Sequence, residues 1–190
     1  MPGIRCLNDA QYSAFMGYLP QISPRDRSII LLLLHAGLRN SECCSLDVRD
    51  VWLQGSLVST LIIRHAHSTT NHIRYIDLSH DLSLSLQAHI GLTQHKVIPL
   101  LSDTPLFLTL RQKLRICPKD IQRIVQHHTI TALGDPFTPH QLRHTFGDRL
   151  LRITNIRVVQ QLLGHLHLSS TQIYTHPTSQ DCTNAIHDAF

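Results

Sequence analysis

Apolar positions recur at helical spacing along most of the chain. Leu7, Tyr12, Phe15, Met16 and Leu19 make a stripe that predicts a helix over 7–18, with Asn8 or Asp9 as its cap. Pro20 and Pro24 bracket a loop. Ser23-Pro24 then places a hydroxyl at N-cap and proline at the first helical position. The helix that follows, Asp26 to about Ala36, carries Ile29 through Leu34. It is apolar nearly all round, which predicts a central, buried element. Gly37 stops it, and Leu38–Leu46 starts another helix. From Val51 to Leu78 the period shortens. Leu57, Val58, Leu61, Ile62 and Ile63, then Ile73, Tyr75 and Ile76, predict two or three antiparallel strands joined by the polar segment 64–71. Helical spacing returns at 81–93, from Pro118 to the stop at Gly134-Asp-Pro-Phe, at 139–152 and at 155–163, the last ended by Gly164. Segment 100–108 is looser, and 113–117 reads as a basic loop. Ser169 or Ser170 can cap a further helix carrying Tyr174. The tail 178–190 can dock as a helix, on this chain or on a neighbour. The expected fold is mainly α (α+β), a compact helical domain over 1–177 with a small antiparallel sheet.

Composition narrows this picture. The apolar fraction of 42% supports a real core, and 16% charged residues argue against a long disordered tail. A net charge of +4 favours anionic partners mildly. That charge is nearly all arginine, since lysine occurs only at 96, 113 and 119. Arginine suits bidentate phosphate contacts. The five cysteines include no CxxC pair and predict reduced thiols. The fifteen histidines are dispersed, without HExxH or zinc spacing, so no metal is expected. The longest apolar run, Ile29–Leu34, is too short to span a bilayer. A cytoplasmic location follows as the expectation.

Five side chains form the candidate chemistry: Arg39, His140, Arg143, His165 and Tyr174. His140 and Arg143 share one face near a helix start, where free N–H groups and the helix dipole favour an anion. Guanidiniums can clamp a phosphate and stabilise charge developing on it. Imidazoles can donate hydrogen bonds or move a proton. A phenol can attack phosphorus. Singly, each has an ordinary role: Arg39 as a surface charge or a partner of Glu42, His140 and His165 at helix ends, Tyr174 as a half-buried aromatic.

The order of these residues resembles the tyrosine recombinase, or phage integrase, family. The matching blocks are Ala36-Gly-Leu-Arg-Asn-Ser-Glu42 with Leu46, Pro139-His-Gln-Leu-Arg-His-Thr-Phe146, Leu162-Leu-Gly-His165 and Ser170-Thr-Gln-Ile-Tyr-Thr-His176. The resemblance covers about Leu7 to His176. It implies that Arg39 and Arg143 clamp a scissile phosphate, His140 assists proton transfer and His165 hydrogen-bonds the phosphate. Tyr174 would attack and hold the 3′ end of the cut strand. Glu42 would support the site from behind, and His144 would be structural. The implied function is site-specific DNA cleavage and rejoining through a 3′-phosphotyrosine, without metal, ATP or cofactor. The partner would be double-stranded DNA lying across a basic face of Arg39, Arg64, Arg74 and Arg143. Four protomers would assemble on synapsed DNA, from a monomer or weak oligomer when free. The bacterial cytoplasm or nucleoid is the implied location.

The sequence departs from the family pattern in two places. The family's hairpin lysine would fall at Thr69, and no lysine lies between 1 and 95. His67 and His72 flank that position and are the candidate replacement acids, with a pKa nearer neutrality than lysine. The usual N-terminal DNA-clamping domain is also not expected here, which fits either a minimal recombinase or a fragment. The competing functions are a type IB topoisomerase-like enzyme, a catalytically impaired DNA-binding or regulatory module, and a His-rich metal-binding protein.

Overall fold

Helix α2 (Pro24–His35) runs through the centre of the computed structural model, which describes residues 5–64, 73–94, 104–164 and 179–190. Every residue from Ser28 to His35 is buried, as the all-round apolar run requires. The Ser23 hydroxyl accepts from the Asp26 N–H at 3.2 Å, and Pro24 occupies the first turn. Around α2 pack α5 (His80–Gln94), α6 (Pro118–Leu133) and α7 (Pro139–Leu151), and α1 (Asp9–Tyr18) lies on α6. Asn8 and Gln11 form a reciprocal capping box at the start of α1.

Several polar groups inside this core pair with one another. Ser28 and Ser85 share a hydrogen bond of 2.8 Å. His35 meets the Ser79 hydroxyl at 2.9 Å with Nδ1 and the Tyr12 hydroxyl at 3.0 Å with Nε2. Burial pushes His35 down to about 3, with Arg149 adding in the same direction, so the ring is neutral at neutral pH.

Short elements follow α2: α3 (Asn40–Ser45), α4 (Val48–Val51), β1 (Trp52–Leu53), β2 (Ser56–Leu57), β3 (Thr60–Arg64) and β4 (Ile73–Asp77). The one small sheet expected from the sequence is instead two separate antiparallel ribbons, β1–β2 and β3–β4. Val51 ends a helix rather than opening a strand. The first ribbon arises because Gln54 and Gly55 both adopt positive φ, 49° and 82°, giving a two-residue turn whose twist suits a hairpin. Gln-Gly is a weak sequence signal for that turn, so its strands merged with β3 in the sequence pattern.

The later helices end where the sequence indicates. Gly134 closes α6 in the left-handed conformation, and Gly164 does the same for α8 (Ile156–Leu163). Thr138 and Gln141 cap α7 reciprocally. The tail forms α9 (Ser179–Ala189) and packs on its own chain. Thr183 donates to Asp77 on β4, and the Phe190 ring stacks on Phe146 of α7 with centroids 5.5 Å apart.

One contact in this core positions the residues discussed next. Gly37 ends α2 at φ +57°, and a Cβ there would lie 2.4 Å from the Phe146 ring. Phe190 backs that ring, so Phe146 has little room to retreat. Gly37→Ala therefore combines left-handed strain with overpacking, and should cost about 2–4 kcal/mol. Urea unfolding checks this: the midpoint should fall with an unchanged slope, and a loss under about 1 kcal/mol would mean that the α2–α7 contact is soft.

Candidate anion-binding site

Three arginines from distant parts of the chain meet at the C terminus of α8. Arg39 precedes α3, Arg74 lies on β4 and Arg143 on α7. The Leu163 carbonyl accepts from Arg74 Nη1 at 2.6 Å and from Arg143 Nη2 at 2.5 Å. The Gly164 carbonyl accepts from Arg39 Nη2 at 3.2 Å. These carbonyls have no continuing helix to serve, and they stand at the negative end of the helix dipole. Arg143 Nη1 also donates to the Gly37 carbonyl, at the turn that Phe146 presses on.

Glu42 is the counter-charge. One of its oxygens, Oε2, accepts the Arg39 backbone N–H at 2.6 Å and the Arg74 Nη2, while Oε1 takes Arg39 Nη1 at 3.0 Å. Arg143 Nη1 lies 3.8 Å from Oε2. Glu42, Arg74 and Arg143 are only 9%, 4% and 6% exposed, whereas the Arg39 side chain is 39% exposed. Burial pushes the Glu42 carboxyl up, but Arg74, the Arg39 N–H and the other guanidiniums outweigh it, leaving it below its ordinary value. Burial pushes Arg74 down to about 10, with Arg39 adding to the effect and Glu42 partly offsetting it. Burial pushes Arg143 down to about 9, with Arg74 and Arg39 adding and Glu42 partly offsetting. Glu42, Arg74 and Arg143 are therefore charged at neutral pH. Among the described residues, three guanidiniums face one carboxylate in this cluster, an excess of positive charge. Arg74 Nε is also buried without a partner among the described residues. The cluster can thus accept an anion approaching beside Arg39.

These positions refine the sequence reading. The structure brings Arg39, Arg143 and Glu42 together. It places Arg74 in the interior, paired with Glu42, rather than on the exposed basic face where it was expected. The signal was in the strand parity, since Arg74 shares its face of β4 with Ile76, which is buried, while Ile73 and Tyr75 point out. A charge on an inward strand position needs a buried partner, and Glu42 is that partner. Of the arginines expected on the DNA-binding face, Arg39 is the exposed one among the described side chains, whereas Arg74 and Arg143 are buried. His140 lies exposed on the first turn of α7, with its Nε2 2.9 Å from Nε2 of His144, a residue first read as structural. The Arg64 side chain, His67, His72, His165 and Tyr174 lie outside what is described. Among the described residues no three His, Cys, Asp or Glu side chains gather as a metal site. None of the five cysteines is in a disulfide, and no described helix is long and apolar enough to cross a membrane.

A mainly helical fold with small antiparallel ribbons and an arginine cluster poised for an oxyanion defines the class. The chain belongs to the phage integrase family, whose model matches residues 5–181. It is 36% identical over 169 residues to tyrosine recombinase XerA of Pyrococcus horikoshii, covering 87% of this chain and 55% of that protein. It is 32% identical over 189 residues to tyrosine recombinase XerA of Pyrococcus furiosus, covering 97% of this chain and 62% of that one. The chain thus spans little more than half the length of these relatives. Its structure is similar to the crystal structure of XerA recombinase, with a TM-score of 0.74, 26% identity, and coverage of 97% of this chain and 65% of the other.

Glu42→Gln keeps the side-chain shape and removes the charge that three guanidiniums share. At neutral pH it should cost about 3–5 kcal/mol, the usual penalty for breaking a buried pair from one side. Because the folded carboxyl lies below its ordinary value, the contribution is complete above the unfolded value near 4.5 and vanishes as pH falls through the folded one. Urea titrations of both proteins across that range should therefore converge in acid. A pH-independent gap would assign the loss to packing.

Proposed function

We propose that this chain cleaves and rejoins DNA strands as a site-specific recombinase, through a covalent 3′-phosphotyrosine. The carrying observation is the excess positive charge held around Glu42, with Arg39 reaching the surface and Arg143 fixed by the Gly37 and Leu163 carbonyls. A phosphodiester brings one negative charge, and attack on phosphorus adds another. Guanidiniums already fixed in place stabilise that second charge without reorganising. Membership of the family and the names of the relatives support the same reading.

In this mechanism Arg39 and Arg143 bind the non-bridging oxygens, and His165 donates a further hydrogen bond. Tyr174 attacks with its phenolic oxygen, forming the phosphotyrosyl bond as the bond to the 5′ oxygen breaks. His140 takes part in moving the phenolic proton. The leaving 5′ oxygen needs a proton, which His67 or His72 supplies in place of the lysine missing at position 69. The new ester stores the energy of the old one, so rejoining by reversal needs no ATP. Arg64 contributes backbone phosphate contacts on the same duplex, whereas Arg74 acts from behind by fixing Glu42. Recombination as such would engage four protomers on two synapsed sites, in the bacterial cytoplasm or nucleoid.

A duplex carrying a nick beside the cleavage site tests this, because loss of a short 5′ fragment traps the covalent complex. Wild type should form a denaturation-resistant adduct in the presence of EDTA, Tyr174→Phe should form none, and Arg143→Met should be slower by about 10²–10³-fold. Replacing both His67 and His72 by Ala should abolish trapping on an ordinary 5′-hydroxyl leaving group. An adduct that survives Tyr174→Phe would refute the nucleophile, and one unchanged in the double His variant would refute the acid.

A further inference from the structure

His140 and His144 lie four residues apart on α7, one turn above the other, and so share a face of the helix. Their Nε2 atoms are 2.9 Å apart, and the rings stand at 87° with centroids 4.3 Å apart. A hydrogen bond at that distance needs one nitrogen protonated and the other presenting its lone pair. The two rings therefore hold a single proton between facing nitrogens. A d-block cation can take the place of that proton if both lone pairs turn to it.

The distances suit such an exchange. Imidazole nitrogens bind Zn²⁺ at about 2.0–2.1 Å, so two of them on one ion lie roughly 2.9 Å apart at a right angle and roughly 3.4 Å apart in a tetrahedron. The pair is already at the lower figure, and small ring rotations reach the upper one. Solvent reaches the pair because His140 is exposed. Asp148, one turn further along, is engaged by Arg152 at 2.9 Å and is not counted as a ligand. Neutral imidazole selects Zn²⁺, Ni²⁺ or Cu²⁺ over Mg²⁺ and Ca²⁺, which require oxygen ligands.

We propose that His140 and His144 form a two-imidazole site for a divalent transition-metal ion, open to solvent, and that its occupation inhibits the protein by taking the His140 lone pair. The inhibitory half rests on the recombinase reading above, and the binding half does not. Water completes the coordination shell, so the ion exchanges and a chelator removes it. No resident metal is implied.

The test separates the two halves. The metal-free full chain is titrated with ZnCl₂ in competition with a coloured chelator, without DNA. The tightest site should be present in wild type and in His127→Gln, an exposed histidine elsewhere on the surface. It should weaken by about tenfold or more in His144→Gln and in His140→Gln, since even loss of an outer partner of a metal ligand costs that much. Far-UV circular dichroism confirms that the variants fold. In the unmutated protein, substoichiometric Ni²⁺ should broaden the imidazole signals of His140 and His144 before those of His127 and His128. A tightest site retained in His144→Gln, or broadening that begins at His127 and His128, would overturn the proposal. With binding established, Zn²⁺ should suppress covalent trapping on the nicked duplex and EDTA should restore it. Unaltered trapping at saturating Zn²⁺ would overturn the inhibitory half alone. Absence of any adduct in the metal-free protein would count against the recombinase reading and leave the site standing.

Discussion

The structure of the site depends on the Glu42 carboxylate. It is buried, it accepts the backbone N–H that begins α3, and it faces guanidiniums from three separate parts of the chain. Without it, Arg74 and Arg143 would be uncompensated charges in a nearly dry interior, a state that costs several kcal/mol per ion. With it, the described residues of the cluster still carry more guanidiniums than carboxylates. That imbalance makes the site receptive: the protein tolerates surplus positive charge because Leu163 and Gly164 present their carbonyls at the negative end of α8. Under the proposed function, an arriving phosphate would complete the neutralisation.

Packing enforces this electrostatic arrangement. Gly37 lets Phe146 approach the end of α2, and Arg143, on the same helix as Phe146, thereby reaches the Gly37 carbonyl. Phe190 then presses on Phe146 from the C-terminal helix, and Thr183 ties that helix to β4 beside Arg74. Core, clamp and tail are thus one packed unit, so changes far from Arg39 should be felt at Arg39.

Much of the fold was legible in the sequence, for local reasons. Ser23-Pro24, Gly134 and Gly164 mark helix ends by chemistry confined to a few residues, and the run Ile29–Leu34 could only be buried. Arg39, Arg143 and Glu42 were also foreseen as neighbours, through the family's motif order. Arg74 was misplaced because its partners, Glu42 and the Leu163 carbonyl, are 32 and 89 residues away and leave no local trace. The inward parity of Arg74 was visible, but a strand of five residues offers little to set one face against the other. The Gln54-Gly55 turn was missed because glutamine seldom takes positive φ. The closeness of His140 and His144 follows from helical spacing alone, yet the orientation of their nitrogens does not.

The central claim is that a buried cluster centred on Glu42 holds excess positive charge for an oxyanion. Its most direct test is the thermal midpoint in low-millimolar phosphate against chloride at matched ionic strength. The account predicts that phosphate raises the midpoint of wild type in proportion to the logarithm of its concentration once the site saturates, and that Arg143→Met loses this response. An equal response to both anions, or a phosphate response undiminished in Arg143→Met, would contradict it.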